Sequence, residues 1–334
     1  GNSWYNGCFT GCTGLTGEIP PGLFDNCTEV TNFSRTFYGC SNLTGSIPEG
    51  LFDNNTKVTN FSETFMNCGK ITGAIPTGLF DNCPLVTDFS FVFEDCSGLT
   101  GSIPVGLFDK CVNAKYFNCI FKGCSGLTGE IPAGLFKNNT KVVDFSGTFA
   151  GCTGLTDIPA GLFDNCPNVT TFEGTFSGTN ITSIPAGLFD KCTEVTDFGG
   201  AFVYTNIIDI PVNLFNNNTK VTNFSRVFQG CANLINIPEG LFDNCPETTN
   251  FGAAFNGCIG LTGIPEGLFD YNTEVTTFKY TFANCEALTA IPAGLFDYNI
   301  KVTHFNGTFR GCKGLTPIPV GLFDKCTEVI QFGW

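Results

Sequence analysis

The sequence predicts a repeat solenoid of about 12 coils, each 26–28 residues long. The dipeptide Ile-Pro recurs from Ile19 to Ile318, first at intervals of 28 residues and then at intervals of 27 and 26. Phenylalanine falls in three columns of the repeat, which hold 36 of the 37 Phe, and only Phe91 lies outside them. A unit of this size cannot bury its apolar face alone, so stacked copies must share one core.

Within each coil, the repeat predicts short parallel strands that alternate with single helical turns. Apolar residues come at every third position of the motif F-x-x-C-x-x-[VL]-T-x-[FI], a spacing that fits neither a long strand nor a long helix. We expect strands of about three or four residues around VTxF and LTxI. Ser34 and its equivalents are expected to cap the next turn. The glycine column that begins at Gly22 is expected to need a positive φ, because Asn213 is its single replacement.

The repeat predicts one continuous solenoid over residues 1–334. Residues 1–14 form an incomplete first coil, the coils of residues 15–156 mostly have 28 residues, and those of residues 157–334 have 26 or 27. The chain begins with Gly1 and no apolar leader, so we expect a processed mature chain or an excised fragment.

The 19 cysteines are many for a chain that already has an aromatic core, and 17 of them lie in two columns. In the FDNC column only Asn replaces Cys, at Asn55, Asn139, Asn218, Asn272 and Asn299. This exchange predicts side chains that donate hydrogen bonds to backbone carbonyls inside a turn. We expect interior Phe and Cys ladders with free thiols, although the coil spacing would also permit some disulfides. Cys8 and Cys119 lie outside both columns and are the candidates for unusual chemistry.

Charge and composition narrow the range of partners. The chain has 16 basic and 30 acidic residues, a formal charge of −14, and no basic cluster, which disfavours binding to nucleic acid. No apolar run is long enough for a membrane span. Ten coils carry Asp after GLF, and local turn bonding is the expected role of this column. The alternative is a calcium column, beginning with Asp25, Asp53, Asp81 and Asp109.

Catalysis has little support in the sequence. There is no Ser/His/Asp set, no HExxH, no P-loop and no CxxC pair, and His304 is the single histidine. The carboxylates lie in a periodic column rather than as an isolated pair in a pocket. We therefore expect a protein with no catalytic residues, no resident metal and no cofactor.

The motifs VTxFSxTFxGCxxLT and LTxIPxGLFDxCTxVTxF resemble the repeat of BspA-type leucine-rich-repeat surface proteins, from Phe9 to Phe332. The resemblance implies a leucine-rich-repeat solenoid, an extracellular location at a cell surface, and adhesion or protein binding rather than catalysis. The sequence departs from the family in two ways. Phe replaces Leu in most core columns, and polar terminal caps are absent.

The two ends of the repeat are in phase, since the last coil stops where the first begins. This predicts a structural protein whose copies stack head-to-tail into a surface fibre or adhesive scaffold. The candidate stacking residues are Trp4, Cys8, Phe9, Phe332 and Trp334. The alternative is a monomeric adhesin or receptor ectodomain that binds an extracellular protein or glycan on one face.

Two further sets of residues mark expected surface sites. Aromatic and arginine side chains in variable positions are candidates for a ligand face: Arg35, Tyr38, Phe91, Tyr116, Arg226, Tyr280 and Arg310. Asn-x-Ser/Thr triplets predict N-glycosylation at Asn26, Asn32, Asn42, Asn54, Asn60, Asn138, Asn168, Asn180, Asn217 and Asn223, if the source modifies asparagine.

Overall fold

A computed structural model describes residues 7–333. The chain has two compact units, Gly1–Asn168 (unit 1) and Val169–Trp334 (unit 2). Each unit is a stack of repeat coils joined by hydrogen bonds between equivalent residues, which confirms the predicted solenoid class. One continuous solenoid over residues 1–334 stays a prediction.

The predicted strands and helical turns are absent from residues 7–333, which contain neither a helix nor an extended strand. Parallel pairing is confined to isolated bridges. In unit 1 the longest series runs through Asn32, Asn60, Asp88, Tyr116 and Asp144. In unit 2 it runs through Thr171, Asp197, Asn223, Asn250, Thr277, His304 and Gln331. Within this part of the chain, no helix is long and apolar enough to cross a membrane.

Consecutive turns with left-handed residues take the place of the helical turns. The N–H groups of Thr36, Tyr38 and Cys40 donate to carbonyls three residues earlier, at 3.1, 3.2 and 3.0 Å, while the N–H groups between them donate to the next coil. Arg35 and Gly39 have φ of 58° and 70°, which prevents an α-helix from continuing. The backbone donors are therefore satisfied alternately within a coil and between coils.

The expected capping role of Ser34 is wrong, because the residue two positions earlier makes the contact. The Asn32 Oδ1 accepts the Ser34 N–H at 2.7 Å, and in unit 2 the Asp197 Oδ1 accepts the Gly199 N–H at 2.6 Å. An Asn or Asp side chain reaches its own backbone two residues ahead more readily than a serine hydroxyl does. By contrast, the expected positive φ of the glycine column is confirmed, with φ of 70° at Gly22 and 65° at Asn213.

The phenylalanine columns form the core of each unit, as predicted. Phe33 and Phe61, neighbours in one column, stack with ring centroids 5.7 Å apart, and Phe52 of the adjacent column is tilted against Phe61 at 4.7 Å. Phe52 and Phe61 are completely buried. Each such ring contributes about 1.5–3 kcal/mol through burial, so the aromatic columns are the main reason that the coils stack.

Candidate functional site

The FDNC column places Cys and Asn against equivalent backbone carbonyls of the preceding coil, as the sequence predicts. The Asn55 Nδ2 donates to the carbonyls of Phe24 at 3.3 Å and Cys27 at 2.9 Å. In the next coil the Cys83 Sγ lies 3.8 Å from the Phe52 carbonyl oxygen and 3.7 Å from that of Asn55. Asn makes the shorter bonds, but its buried Oδ1 has no hydrogen-bond partner.

The thiols are free and mostly inert, in agreement with the sequence. Burial raises the pKa of Cys68 and Cys231 to about 12, and a thiol that is protonated at neutral pH is a poor nucleophile. The accessible thiols are few. Two cysteines are exposed and three are half-buried: Cys8 and Cys12, then Cys27, Cys119 and Cys312.

The aspartate column makes local contacts. A Cβ atom added to Gly22 would lie 2.8 Å from the Asp25 Oδ2, so the carboxylate folds back over the glycine three residues earlier. Asp109 forms an ion pair with Lys137 at 2.8 Å. Within residues 7–333, no group of three or more His, Cys, Asp or Glu side chains is arranged to hold a metal. The calcium alternative at Asp25, Asp53, Asp81 and Asp109 stays a prediction.

Four of the seven ligand-face candidates share one column of the repeat, the x of FSxTF, which we call the left-handed column. Every member has φ between 55° and 63°. In unit 1 its members are Arg35, Glu63, Phe91, Cys119 and Gly147. In unit 2 they are Gly174, Gly200, Arg226, Ala253, Tyr280 and Gly307. A non-glycine residue in this conformation costs about 1–2 kcal/mol, so the side chains retained there need a compensating role.

In unit 1 the first three members of the left-handed column, Arg35, Glu63 and Phe91, have large side chains. The Arg35 Nε and Nη2 donate to the Glu63 carboxylate at 3.0 and 2.8 Å, and Phe91 is half-buried. Tyr38 is half-buried and Tyr116 is 41% exposed. Of the candidates in this unit, Arg35 therefore pairs with the next coil, and Tyr116 is the most exposed.

In unit 2 the left-handed column lines an open groove of about 960 Å³ that extends over five coils, from Glu173 to Tyr280. We call it the unit-2 groove. Gly174, Gly200 and Ala253 line it with backbone and at most a methyl group. Three of the five column members that line the groove are glycine or alanine, which leaves space along this face of unit 2.

Two predicted ligand residues, Arg226 and Tyr280, line the unit-2 groove, and Arg310 is exposed outside it. The sequence reasoning missed Tyr204 and Lys279, which also line it. Tyr204 replaces a glycine of the FxGC motif and is 64% exposed, and this replacement was the available signal. The Lys279 Nζ lies 5.6 Å from the centroid of the Tyr280 ring.

The proposed stacking residues lie in the first and last coils. Cys8 is exposed and Phe9 half-buried. Phe332 is 56% exposed, whereas Phe305, against which it stacks at 5.8 Å, is buried. Two further candidates, Trp4 and Trp334, lie outside the described residues.

Most of the asparagines predicted to carry glycans are accessible. Seven are exposed, namely Asn26, Asn32, Asn54, Asn138, Asn168, Asn180 and Asn217, and Asn42 is half-buried. Asn60 and Asn223 are half-buried, and the Asn223 Nδ2 donates to Asp197 at 2.9 Å. A further triplet, which the sequence reading overlooked, begins at Asn306, whose side chain is buried.

Comparison with known proteins identifies the repeat. The chain matches the BspA type leucine-rich repeat region over residues 73–196 and 130–330, with six copies. It also matches a Mycoplasma protein family of unknown function over residues 6–132. No curated protein is significantly similar to this chain in sequence.

Several solved structures are similar in fold. The plant peptide hormone receptor RGFR1, in complex with RGF2, matches with a TM-score of 0.55 and 17% identity, covering 96% of this chain and 53% of that one. The Arabidopsis receptor kinase HAESA ectodomain, in complex with a peptide hormone, matches with a TM-score of 0.51 and 17% identity, covering 90% and 52%. A leucine-rich cell surface protein of Faecalibacterium prausnitzii has 21% identity and a TM-score of 0.44, covering 95% and 91%. The chain spans about half the length of the two plant receptors, and these identities show the fold alone.

Proposed function

Because the chain belongs to the BspA-type leucine-rich repeat family, we propose that it is a non-catalytic extracellular protein of the cell surface, with the unit-2 groove as its ligand site. The groove itself carries the proposal. Its ligand is an extended polymer from outside the cell, protein or glycan, that lies along the stacked coils. The plant receptors of the same fold, which were solved with peptide hormones, support a binding role.

The side chains around the groove favour binding over catalysis. Neither cysteine nor histidine lines it, and Tyr204, Arg226 and Tyr280 belong to the residue types that dominate binding interfaces. The single histidine lies elsewhere, with its Nδ1 2.7 Å from the Thr303 Oγ1.

The experiment that tests this function blocks the groove. Ala253 already has φ of 58°, so Ala253→Tyr fills the groove without a new backbone cost. Val212 is 67% exposed in the same unit and outside the lining, so Val212→Tyr is the matched control. Arrays of extracellular glycans and peptides first identify the ligands that the unmodified protein binds. We expect Ala253→Tyr to abolish binding of these ligands and Val212→Tyr to retain it. Ligands that tolerate Ala253→Tyr would place binding elsewhere and contradict the proposal.

A second candidate function is head-to-tail association into a fibre. The observation in its favour is the exposure of Phe332, 56%, and the partial exposure of Val329, while Phe305 and Val302, their equivalents one coil earlier, are buried. A second copy that placed its Phe9 coil against them would cover these side chains. Sedimentation velocity over a range of concentrations should show larger species for the unmodified protein and a monomer for Phe332→Glu. Monomers at every concentration would rule association out.

A further inference from the structure

We propose that the unit-2 groove binds a linear, acidic, β-1,4-linked polysaccharide, with one sugar per coil and a sugar carboxylate on Arg226. The inference rests on the function proposed above and names its ligand class. Four features of the groove support it: its period, its aromatic surfaces, its polar groups and its charge.

The period of the groove fits a sugar chain. The phenylalanine column two residues beyond the left-handed column stacks at 5.6 Å from Phe176 to Phe202 and again from Phe202 to Phe228. Equivalent groups along the groove repeat at a similar interval. A β-1,4-linked pyranose chain advances by nearly this distance per sugar, so each sugar meets the same kind of site. An extended peptide advances about 3.3 Å per residue, so its side chains fall out of step with the coils.

Two tyrosines offer flat surfaces to a sugar ring. A Cβ atom on Gly230 would lie 2.2 Å from the Tyr204 Cδ1, and one on Gly307 would lie 2.4 Å from the Tyr280 Cε1. Each tyrosine ring therefore lies against a glycine of the next coil. Because Tyr204 is nevertheless 64% exposed, part of its ring surface faces the solvent. The C–H groups on one face of a pyranose ring pack well against such a surface.

The polar groups of the groove suit hydroxyls better than peptide side chains. Gln229 and Asn256 line it with amides that both donate and accept hydrogen bonds, and Ser177 adds a hydroxyl. Peptide ligands are usually anchored by large apolar side chains in well-packed pockets. Apart from the tyrosines, Val203 is the largest apolar residue of the lining, and the groove is open. It therefore lacks a pocket for such an anchor.

The charge of the groove favours an acidic ligand. Its charged residues are Arg226, Lys279 and one carboxylate, Glu173, so it is net positive on a chain with a formal charge of −14. Within residues 7–333 the Arg226 side chain makes no hydrogen bond or ion pair. A guanidinium pairs with a carboxylate through two parallel hydrogen bonds. Arg226 therefore has a free charge that a uronic acid would satisfy.

The test uses three labelled probes in fluorescence anisotropy: a β-1,4-linked mannuronate hexamer, the neutral mannose hexamer of the same linkage, and a glutamate decamer. We expect the acidic hexamer to bind about tenfold more tightly than the neutral one, because only the former pairs with Arg226. Arg226→Gln should remove this preference and leave the neutral hexamer unaffected. Tyr204→Ala should weaken both hexamers. Arg310→Gln, an arginine outside the groove, is the matched control and should change nothing.

The outcomes separate this inference from the function on which it rests. Equal binding of the two hexamers, or no binding of either, overturns the acidic polysaccharide. If the glutamate decamer alone binds, and Ala253→Tyr abolishes its binding, the ligand is a peptide and the groove keeps its proposed function. If every probe that binds tolerates Ala253→Tyr, both proposals fail. Melting temperatures of all variants should match that of the unmodified protein, so that losses of binding are not losses of fold.

Discussion

The Cys68 thiol is hydrogen-bonded to the backbone of the previous coil: its Sγ donates to the Phe37 carbonyl oxygen at 3.0 Å. Cys96 makes the same contact with Phe65 at 2.9 Å. The cysteine column is thus a ladder of donors, in which each thiol bonds a carbonyl of the previous coil. This relationship gives the cysteines a role without disulfides, since each thiol is a second donor to a carbonyl that also accepts a backbone N–H.

The first prediction concerns thiol reactivity. Burial raises the pKa of Cys68 and Cys83 to about 12, so both thiols stay protonated at pH 8 and should not react in the folded protein. We expect iodoacetamide to modify at most the five accessible cysteines of the native protein and all 19 in urea. Intact-mass measurement counts the adducts, and peptide mapping locates them. Modification of Cys68 in the native protein at the rate of Cys8 would contradict the ladder.

The second prediction exchanges Asn for Cys in the FDNC column. The Asn139 Nδ2 donates to the carbonyls of Phe108 and Cys111, while its buried Oδ1 has no partner. Asn139→Cys removes that orphaned acceptor but weakens the donor, so the free energy of unfolding should change by less than about 1 kcal/mol. Asn139→Ala removes two buried side-chain hydrogen bonds, although each carbonyl keeps its backbone donor, and should cost about 1–3 kcal/mol. Urea unfolding measures both.

A matched control for this exchange is Asn138→Ala. Asn138 is the exposed neighbour, and its Nδ2 donates to the Asp109 carbonyl at 3.1 Å. An exposed bond is replaced by water, so the loss should be smaller than that of Asn139→Ala. Equal losses at the two positions would show that burial of the FDNC column is not what makes its donors necessary.

The third prediction concerns Asn213, the one non-glycine residue in the glycine column of IPxGLF, with φ of 65°. Glycine adopts this conformation without strain, so Asn213→Gly should raise the free energy of unfolding by up to about 1 kcal/mol. Asn213→Ala should lower it by a similar amount, because alanine lacks the side-chain hydrogen bonding that lets Asn tolerate positive φ. Thermal unfolding of both variants is the measurement. The control is Asn217→Gly. Asn217 is exposed and has no positive φ, so glycine should not stabilise the protein at this position.

The regular features of this chain were predictable because a single residue type recurs at each of them. The phenylalanine columns and the exchange of Cys for Asn are visible in the sequence and hold in the structure. The turn conformation was not predictable in the same way. In the FxGC motif a left-handed φ occurs at Gly39 but also at Tyr204. The residue type at this position therefore does not reveal the backbone conformation that the coils share.

The unit-2 groove escaped prediction for a different physical reason. Large aromatic and arginine side chains are the sequence signal for a binding surface, whereas this groove is lined largely by small residues such as Gly174 and Ala253. A concave surface depends on which side chains are missing from one face. That face becomes recognisable in the structure, where five members of the left-handed column of unit 2 line one groove.

The fourth prediction concerns the aspartate column, which follows GLF, in unit 2. Burial, followed by repulsion from Asp243 and Asp297, raises the pKa of Asp270. A raised folded-state pKa means that the folded protein binds this proton more tightly than the unfolded chain does. The loss of folding stability caused by the ionised Asp270 carboxylate is therefore absent at pH values below the unfolded-state pKa. It appears as the pH rises through the folded-state pKa. Asp270→Asn should raise the melting temperature at pH 7 and leave it unchanged at pH 3.

Salt provides the control for this effect, because ions screen repulsion between partly exposed carboxylates. The gain in melting temperature from Asp270→Asn should shrink in concentrated sodium chloride. A gain of the same size at pH 3, or one that does not respond to salt, would point to packing rather than charge.

The fifth prediction compares a buried with an exposed ion pair. The Lys122 Nζ donates to the Glu94 Oε1 at 2.8 Å, the Glu94 side chain is only 6% exposed, and its Oε2 has no partner. Lys122→Met leaves this carboxylate buried and uncompensated, so it should lower the free energy of unfolding by about 1.5–3 kcal/mol. The matched control is Lys57→Met, whose partner Glu29 is 80% exposed and which should cost less than about 1 kcal/mol. Adding Glu94→Gln to Lys122→Met should restore part of the loss, as a double-mutant cycle by urea unfolding would measure. If the two lysine variants lose equal stability, the burial of Glu94 has no energetic consequence for this pair.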